Sequence, residues 1–303
     1  MRRLNNKVAH RRLSIATVAG LALVAVACSP VGGADWPMWG RTPARNMVAG
    51  EVHDLPLAWD VESGENIRWS AELGRTSYGN PVAANGKIVV GTNNENPRDP
   101  KTTGDRGVVM CFDAERGTFL WQDTYPKLPA GSSQDWPLQG ICSSPAIDGE
   151  RVYYLNNRAQ IVCADMQGFH DRENDGPVMD EADTRIEAAD VCWRYDLMAE
   201  LGVVPCFMAS SNPLVVGDRL FIVTSNGVDP DTGKLSHPEA PSFVALDKNL
   251  GTLVWQAGFE APTSRAVEMG TILEGQWGSP SYGEVVLPDG SRRPQVVFPG
   301  GDG

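Results

Sequence analysis

The chain has 303 residues, a formal net charge of −12, 32 glycines and 22 prolines. An acidic balance of this size excludes nucleic acid and anionic membrane surfaces as electrostatic partners. So much Gly and Pro suits a turn-rich, all-β protein.

Residues 1–27 read as an export signal. Arg2, Arg3, Lys7, Arg11 and Arg12 form a basic start, and Leu13 to Ala27 an apolar stretch too short for a comfortable membrane span. Ala25-Val26-Ala27 before Cys28 fits a small-residue cleavage site. It also fits a lipoprotein box, with Ala25 where such boxes usually carry Leu. Cys28 is therefore the expected lipidation site, and plain secretion would cut at the same bond. Ser29 suits an outer-membrane destination, and Arg11-Arg12-Leu13-Ser14 is a faint twin-arginine pattern. Removing the leader leaves a mature charge of −17. Residues 28–59 read as a lead segment, and no later stretch is long and apolar enough to span a bilayer.

From residue 60 onward the chain repeats itself. Asn80-Pro81, Ser144-Pro145, Asn212-Pro213 and Ser279-Pro280 each open a run of alternating apolar residues, with the prolines 64, 68 and 67 positions apart. In the first unit the predicted strands are Val82 to Ala84, Ile88 to Val90, Val108 to Phe112 and Phe119 to Trp121. The third unit matches it with 214–216, 220–223, 243–246 and 253–255. Asp113 and Trp121, like Asp247 and Trp255, frame the spacing Asp-x3-Gly-x3-Trp, and Asp165 and Trp193 end an interrupted copy. Four short antiparallel strands per unit, rich in β-branched and aromatic residues, read as one propeller blade. A single blade cannot bury both faces of its sheet, so neighbours must pack on it. Trp69, Trp121, Trp193 and Trp255 are expected to pack between blades.

The blades resemble the pyrroloquinoline-quinone-type propeller repeat, carried here by 109–113, 161–165 and 243–247. Asp35-Trp36-Pro37-Met38-Trp39-Gly40 also resembles the start of many secreted propellers of that superfamily, notably from planctomycete-type bacteria. The resemblance covers roughly residues 60–303 and implies a ring of roughly six to eight blades. The superfamily includes quinoprotein dehydrogenases and non-enzymatic scaffolds alike, so the resemblance implies fold more firmly than function.

Blade starts fall near residues 80, 144, 212 and 279. The fourth unit is read as Val285 to Leu287 and Gln295 to Phe298, without its last two strands. Ile67-Arg68-Trp69 reads as an isolated fourth strand. The expectation is an incomplete all-β propeller, three full blades plus partial ones, an open arc truncated at the C-terminus.

Five cysteines follow Cys28. Cys111 and Cys163 share one strand position with Ala245, as packing residues would, and Cys192 with Cys206 is a candidate disulfide. There is no Cys-x-x-Cys-His, no vicinal Cys pair, no Gly-x-Ser-x-Gly, no phosphate-binding loop and no pair of histidines at metal spacing. The family's dehydrogenases commonly carry the vicinal pair, so its absence weighs against that activity.

In a propeller the second-to-third-strand loops and the inter-blade links share one face, and here they are long. Asn93, Asn94, Asn156, Asn157, Arg158, Ser225, Asn226 and, after the second strand of the fourth unit, Asp302 are the candidate binding-face residues. The plainer reading is that these asparagines satisfy turn backbone. An insertion between Gly168 and Trp193 is expected on the opposite face. Its Asp171, Glu173 and Asp175 before Gly176 are candidate calcium ligands, although Ala182 stands where a twelve-residue calcium loop needs Glu; the plainer reading is a solvated acidic loop.

Two functions follow. The first is an exported, non-enzymatic scaffold that binds a protein or small ligand at the cell envelope, touching membrane only through Cys28. The alternative, implied by the resemblance, is an alcohol or sugar dehydrogenase using pyrroloquinoline quinone and calcium.

Overall fold

The computed structural model describes residues 35–129, 133–229, 232, 234–235, 237–257 and 277–299. Three four-stranded antiparallel sheets follow one another, each wired in chain order. Blade 1 is β1 (Val82–Ala84), β2 (Lys87–Asn93), β3 (Arg106–Asp113) and β4 (Phe119–Pro126). Blade 2 is β5 (Ala146–Asp148), β6 (Arg151–Leu155), β7 (Gln160–Asp165) and β8 (Val191–Asp196). Blade 3 is β9 (Leu214–Val216), β10 (Arg219–Val223), β13 (Phe243–Asp247) and β14 (Leu253–Ala257), with the small pair β11 (Val228–Asp229) and β12 (Lys234–Leu235) in its second loop. Blade 4 is represented among the described residues by the hairpin β15 (Ser281–Val286) and β16 (Arg292–Val297).

The four prolines do one job. Each stands immediately before the first strand of its blade, and the first strands of blades 1, 2 and 3 adjoin. The residue before each proline links one blade to the next. Asn80 N–H donates to Ser144 Oγ (2.8 Å), Ser144 N–H to Asn212 Oδ1 (2.5 Å), and Asn212 N–H to Ser279 Oγ (3.0 Å). A proline has no N–H of its own, so the ladder uses the donor just upstream.

Strand alternation sends successive side chains to opposite faces. In β6, Val152 and Tyr154 join a core shared with Val89, Val109 and Trp121 of blade 1. Tyr153 and Leu155 join a second core with Leu214, Leu220 and Val244 of blade 3. Blade 2 is therefore buried on both faces, as the repeat requires.

The tryptophans fasten the outer ends. Trp69 Nε1 donates to Ala114 O (2.9 Å), Trp121 to Met166 O (3.1 Å) and Trp193 to Lys248 O (3.0 Å). Each acceptor follows the motif Asp of the next blade. The indole also lies on the hairpin glycine: a Cβ at Gly117 would come within 2.5 Å of Trp69, and one at Gly251 within 2.5 Å of Trp193. Both glycines have positive φ. Trp255, the next in the series, is 44% exposed and has no such carbonyl partner among the described residues.

Four expectations need correction. Residues 67–69 form no strand, yet Trp69 docks as a blade tryptophan should. The strands of blade 4 begin earlier than their apolar residues suggest, because Ser281 pairs with Val297 and Val286 with Arg292. Cys192 and Cys206 are not joined in a disulfide: Cys192 hydrogen-bonds Cys163, and Cys206 Sγ approaches Val228 O at 3.0 Å. The insertion after β7 is not confined to the opposite face. Its residues 187–189 return along β4, where Gln122 N–H donates to Glu187 O (2.9 Å) and Ala189 N–H to Gln122 O (3.1 Å). That covers part of the open edge of blade 1.

The lead segment is part of the blade core. Trp36 bridges Ala83 in β1, and Met38 bridges Ala146 in β5. Arg45 then donates to Asn212 O and Pro213 O (both 3.1 Å) and to Pro280 O (2.5 Å). One strap thus touches the first strand, or the residues leading into it, in all four blades. Burial lowers the Arg45 pKa to about 10.

Candidate functional site

β1 and β3 run one way and β2 and β4 the other, so the β2–β3 loop and the β4–β5 link emerge on one face. The sequence-selected asparagines lie beneath that face. Asn93, Asn94, Asn156, Asn157, Ser225 and Asn226 are all buried. Asn93 Oδ1 accepts from the backbone N–H of Arg75 (2.8 Å), and its Nδ2 donates to Leu138 O (2.5 Å). Asn94 Nδ2 donates to Thr102 O (2.8 Å) and closes the β2–β3 loop. Asn156 Oδ1 accepts from Arg158 N (2.9 Å) and Gln160 N (3.0 Å). Asn157 Nδ2 donates to Asp135 Oδ2 (2.8 Å), and the half-buried Arg158 donates to Lys127 O (3.1 Å). Ser225 O accepts from Cys206 N (2.8 Å), while Asn226 ties Val204 N (3.0 Å) to His237 O (3.1 Å). These residues hold the loops up and do not present contact groups to solvent. Asp302 lies outside the described residues, as does Cys28.

What the loops present is aromatic. Trp136 and Leu138 on the β4–β5 link are each 43% exposed, and Trp277 before blade 4 is 39% exposed. Phe207, on the link from blade 2 to blade 3, lies between the tryptophans, with ring centroids 5.2 Å from Trp136 and 6.3 Å from Trp277. Two backbone bonds and one indole bond join the segments: Trp136 N–H to Phe207 O (3.2 Å), Phe207 N–H to Ser133 O (2.8 Å), and the side-chain Trp277 Nε1 to Cys206 O (2.9 Å). Leu138 and Phe207 have φ of 62° and 63°. Bulky residues rarely adopt that region, and such strain concentrates at functional sites.

A buried polar group supports this platform. Asp135, 2% exposed, accepts from Lys127 Nζ, Leu128 N (3.1 Å) and Asn157 Nδ2 (2.8 Å), and Lys127 Nζ also reaches Trp136 O. Cys142 lies close by, its Sγ 3.5 Å from Met208 Sδ. Burial, with Asp135 adding to it, pushes that thiol up to about 12, so it is no nucleophile at neutral pH.

A second feature is a cavity of about 600 Å³ between β4 and the returning insertion, lined by Arg98, Phe119, Asp123, Arg185 and Arg194. At its base Asp123 accepts from the hydroxyls of Tyr125 and Tyr154 (2.9 Å from Tyr154) and lies 3.8 Å from Arg194. Burial first, then the Asp123 charge, holds both tyrosines well above their ordinary pKa, so they serve as donors. The cluster closes the seam between blades 1 and 2.

Of the candidate calcium ligands, Asp171 and Asp175 come together with Asp165, not with Glu173. Glu173 is exposed, and its backbone N–H donates to Asp171 Oδ1 (3.0 Å). Burial raises the neighbouring Asp190 carboxyl to about 6.

The platform residues were not singled out by sequence reasoning. The available signal was register: Trp136 and Trp277 are tryptophans off the blade repeat, in loop segments.

No family model and no curated protein matches the chain. Solved structures similar to it include a europium-containing methanol dehydrogenase, at 15% identity and TM-score 0.43 over 74% of this chain and 31% of that one. Another is a quinohemoprotein alcohol dehydrogenase, ADHIIG, from Pseudomonas putida HK5, at 16% identity and TM-score 0.46 over 82% and 33%. A third is BamB from Moraxella catarrhalis, at 15% identity and TM-score 0.31 over 59% and 36%. This chain thus spans about a third of the length of each. Likeness at this level carries no argument about activity, and the propeller architecture rests on the blades themselves.

Proposed function

We propose that this protein is an exported, non-enzymatic propeller scaffold that engages a protein partner at the cell envelope through its loop face. The observation that carries the reading is the Trp136–Phe207–Trp277 platform. Three loops from separate blade junctions bring large aromatic surfaces together, hold them half-exposed, and spend backbone strain to do so. Exposed Trp clusters on a rigid support are where interface energy concentrates. The leader-like residues 1–27 support export, and Cys28 supports a lipid tether. No helix among the described residues is long and apolar enough to cross a membrane.

The quinone–calcium dehydrogenase reading needs an aromatic floor, a cation and an unspent base together. The platform offers rings, but its carboxylate, Asp135, is already bound to Lys127, Leu128 N and Asn157. The carboxylate beneath the platform is thus engaged in holding it up, which favours the scaffold reading.

The test is co-purification of the tagged full chain from its own cell envelope. The Trp136→Ala/Trp277→Ala double variant is expected to lose the bound partner at least tenfold while keeping its circular dichroism spectrum. Undiminished partner recovery, or turnover of an alcohol or sugar by the full chain with quinone and calcium, would overturn the reading.

A further inference from the structure

In blades 1, 2 and 3 the fourth strand bulges at the same place. In blade 1 Cys111 pairs with Trp121 and Phe112 with Phe119, so Leu120 is the extra residue. In blade 3 Ala245 pairs with Trp255 and Leu246 with Leu253, so Val254 is extra. In blade 2 Cys163 pairs with Trp193 and Ala164 with Val191, so Cys192 is extra. At such a bulge two residues of one strand stand opposite one residue of the other. Blade 1 sets Leu120 against a cysteine and blade 3 sets Val254 against an alanine. Blade 2 has a cysteine on both sides.

The two blade 2 cysteines meet. Cys163 and Cys192 share the core between blades 2 and 3, are 1% and 3% exposed, and hydrogen-bond each other through their thiols. Residues facing each other across an antiparallel pair have Cα atoms about 4.5–5.5 Å apart, inside the about 4.4–6.8 Å that a disulfide spans. Cys142 and Cys206 meet other groups: Cys142 Sγ lies 3.5 Å from Met208 Sδ, and Cys206 Sγ 3.0 Å from Val228 O.

We propose that Cys163 and Cys192 are joined in a disulfide as the exported chain folds, tying β7 to β8 across the base of the 166–190 insertion. This rests on the export reading, because exported chains fold where thiols are oxidised. The oxidant is a disulfide, small-molecule or carried on a protein. One cysteine thiolate attacks it and releases a thiol; the second then displaces the other thiol from the mixed disulfide. Two S–H bonds are lost and one S–S bond forms, and the oxidant leaves as two thiols with the two electrons and two protons.

The order of events follows from burial. Val178 N–H donates to Cys192 O (3.4 Å), and a Cβ at Gly176 would lie 2.8 Å from Cys192 Cβ, so the insertion lies directly on Cys192. Burial first, then the Cys192 thiol, hold the Cys163 thiol well above the ordinary cysteine range, so in the folded chain it is no nucleophile. Exchange therefore precedes closure of the insertion, and the finished bond is shielded from reductants.

The test has two arms, both on the full chain. Reduced, urea-unfolded protein is refolded in a glutathione redox buffer, and protein is recovered from its own cell envelope with an alkylating agent present. Peptide mapping without reduction is expected to give a 163–192 link in both. The oxidised chain is expected to melt about 5–10 °C above the reduced chain. Cys163→Ala copies the blade 3 residue and is expected to abolish both the link and the rise, while Cys111→Ala keeps both. Absence of the link from both arms, a Cys192–Cys206 link in its place, or an equal rise in Cys163→Ala would overturn the assignment. The glutathione arm does not depend on export, so a link formed there and missing from the envelope sample would overturn export and not the pair.

Discussion

Blades 2 and 3 are built on the same landmarks and differ in what lies beyond them. Trp193 of blade 2 is buried under the next hairpin, bonded to Lys248 O and seated on Gly251. Trp255 of blade 3 occupies the same place in its own blade, yet it is half in solvent, with the Phe298 ring 5.9 Å away. The residue is constant and the neighbour is not. The tryptophan's contribution therefore belongs to the interface, and the repeat is a code for joining blades.

The sharpest way to break that comparison is to truncate both tryptophans. Trp193→Ala is expected to cost about 3–5 kcal/mol, the range for a fully buried aromatic, and Trp255→Ala less than about 1 kcal/mol, read by urea denaturation of the full chain. Equal losses would mean the tryptophans act within their own blades. The glycines give a smaller, parallel contrast. Gly251→Ala places a methyl 2.5 Å from the Trp193 ring at a φ of +66°, whereas Gly217→Ala has a φ of +57° and open space. The first is expected to cost about 2–4 kcal/mol and the second about 1 kcal/mol, because only the first adds overpacking to left-handed strain.

The smallest effect is chemical. Burial penalises the Cys142 thiolate, raising its pKa to about 12, so the reactive form is scarce at pH 8.5 and grows only as pH rises through that value. Its alkylation is expected to run about a thousandfold slower than that of an unperturbed thiol, and denaturant should abolish the difference. Rapid labelling of the folded chain would show that the loop face does not enclose this thiol.

Fold was legible where the residue's job recurs. Proline before each first strand, alternating apolar residues and the Asp–Gly–Trp spacing are the same request made to successive neighbours, so periodicity exposes them. Blade 4 was read late because β15 and β16 are largely solvent-facing, and Glu284, Arg292 and Arg293 give no apolar pattern. Arg45 was invisible because its partners are backbone carbonyls, three of the four more than 160 residues away, which carry no sequence mark. At the candidate site the asparagines were found for their position, but their amides turn inward to backbone. The exposed rings of Trp136 and Trp277 obey no period, and the carboxylate that replaces Glu173 in the acidic cluster is the motif residue Asp165, already counted as a turn former.

Repeated residues join the blades, and on the proposed reading the loop face does the binding. Site-specific photo-crosslinking tests this most directly, with the reactive group placed at Leu138 on the loop face or at Asp289 on the β15–β16 hairpin at the opposite end of the blades, in the full chain within its own envelope. A discrete adduct from position 138 and none from position 289 is the result expected. Equal adducts from both positions, or an adduct from 289 alone, would contradict the account.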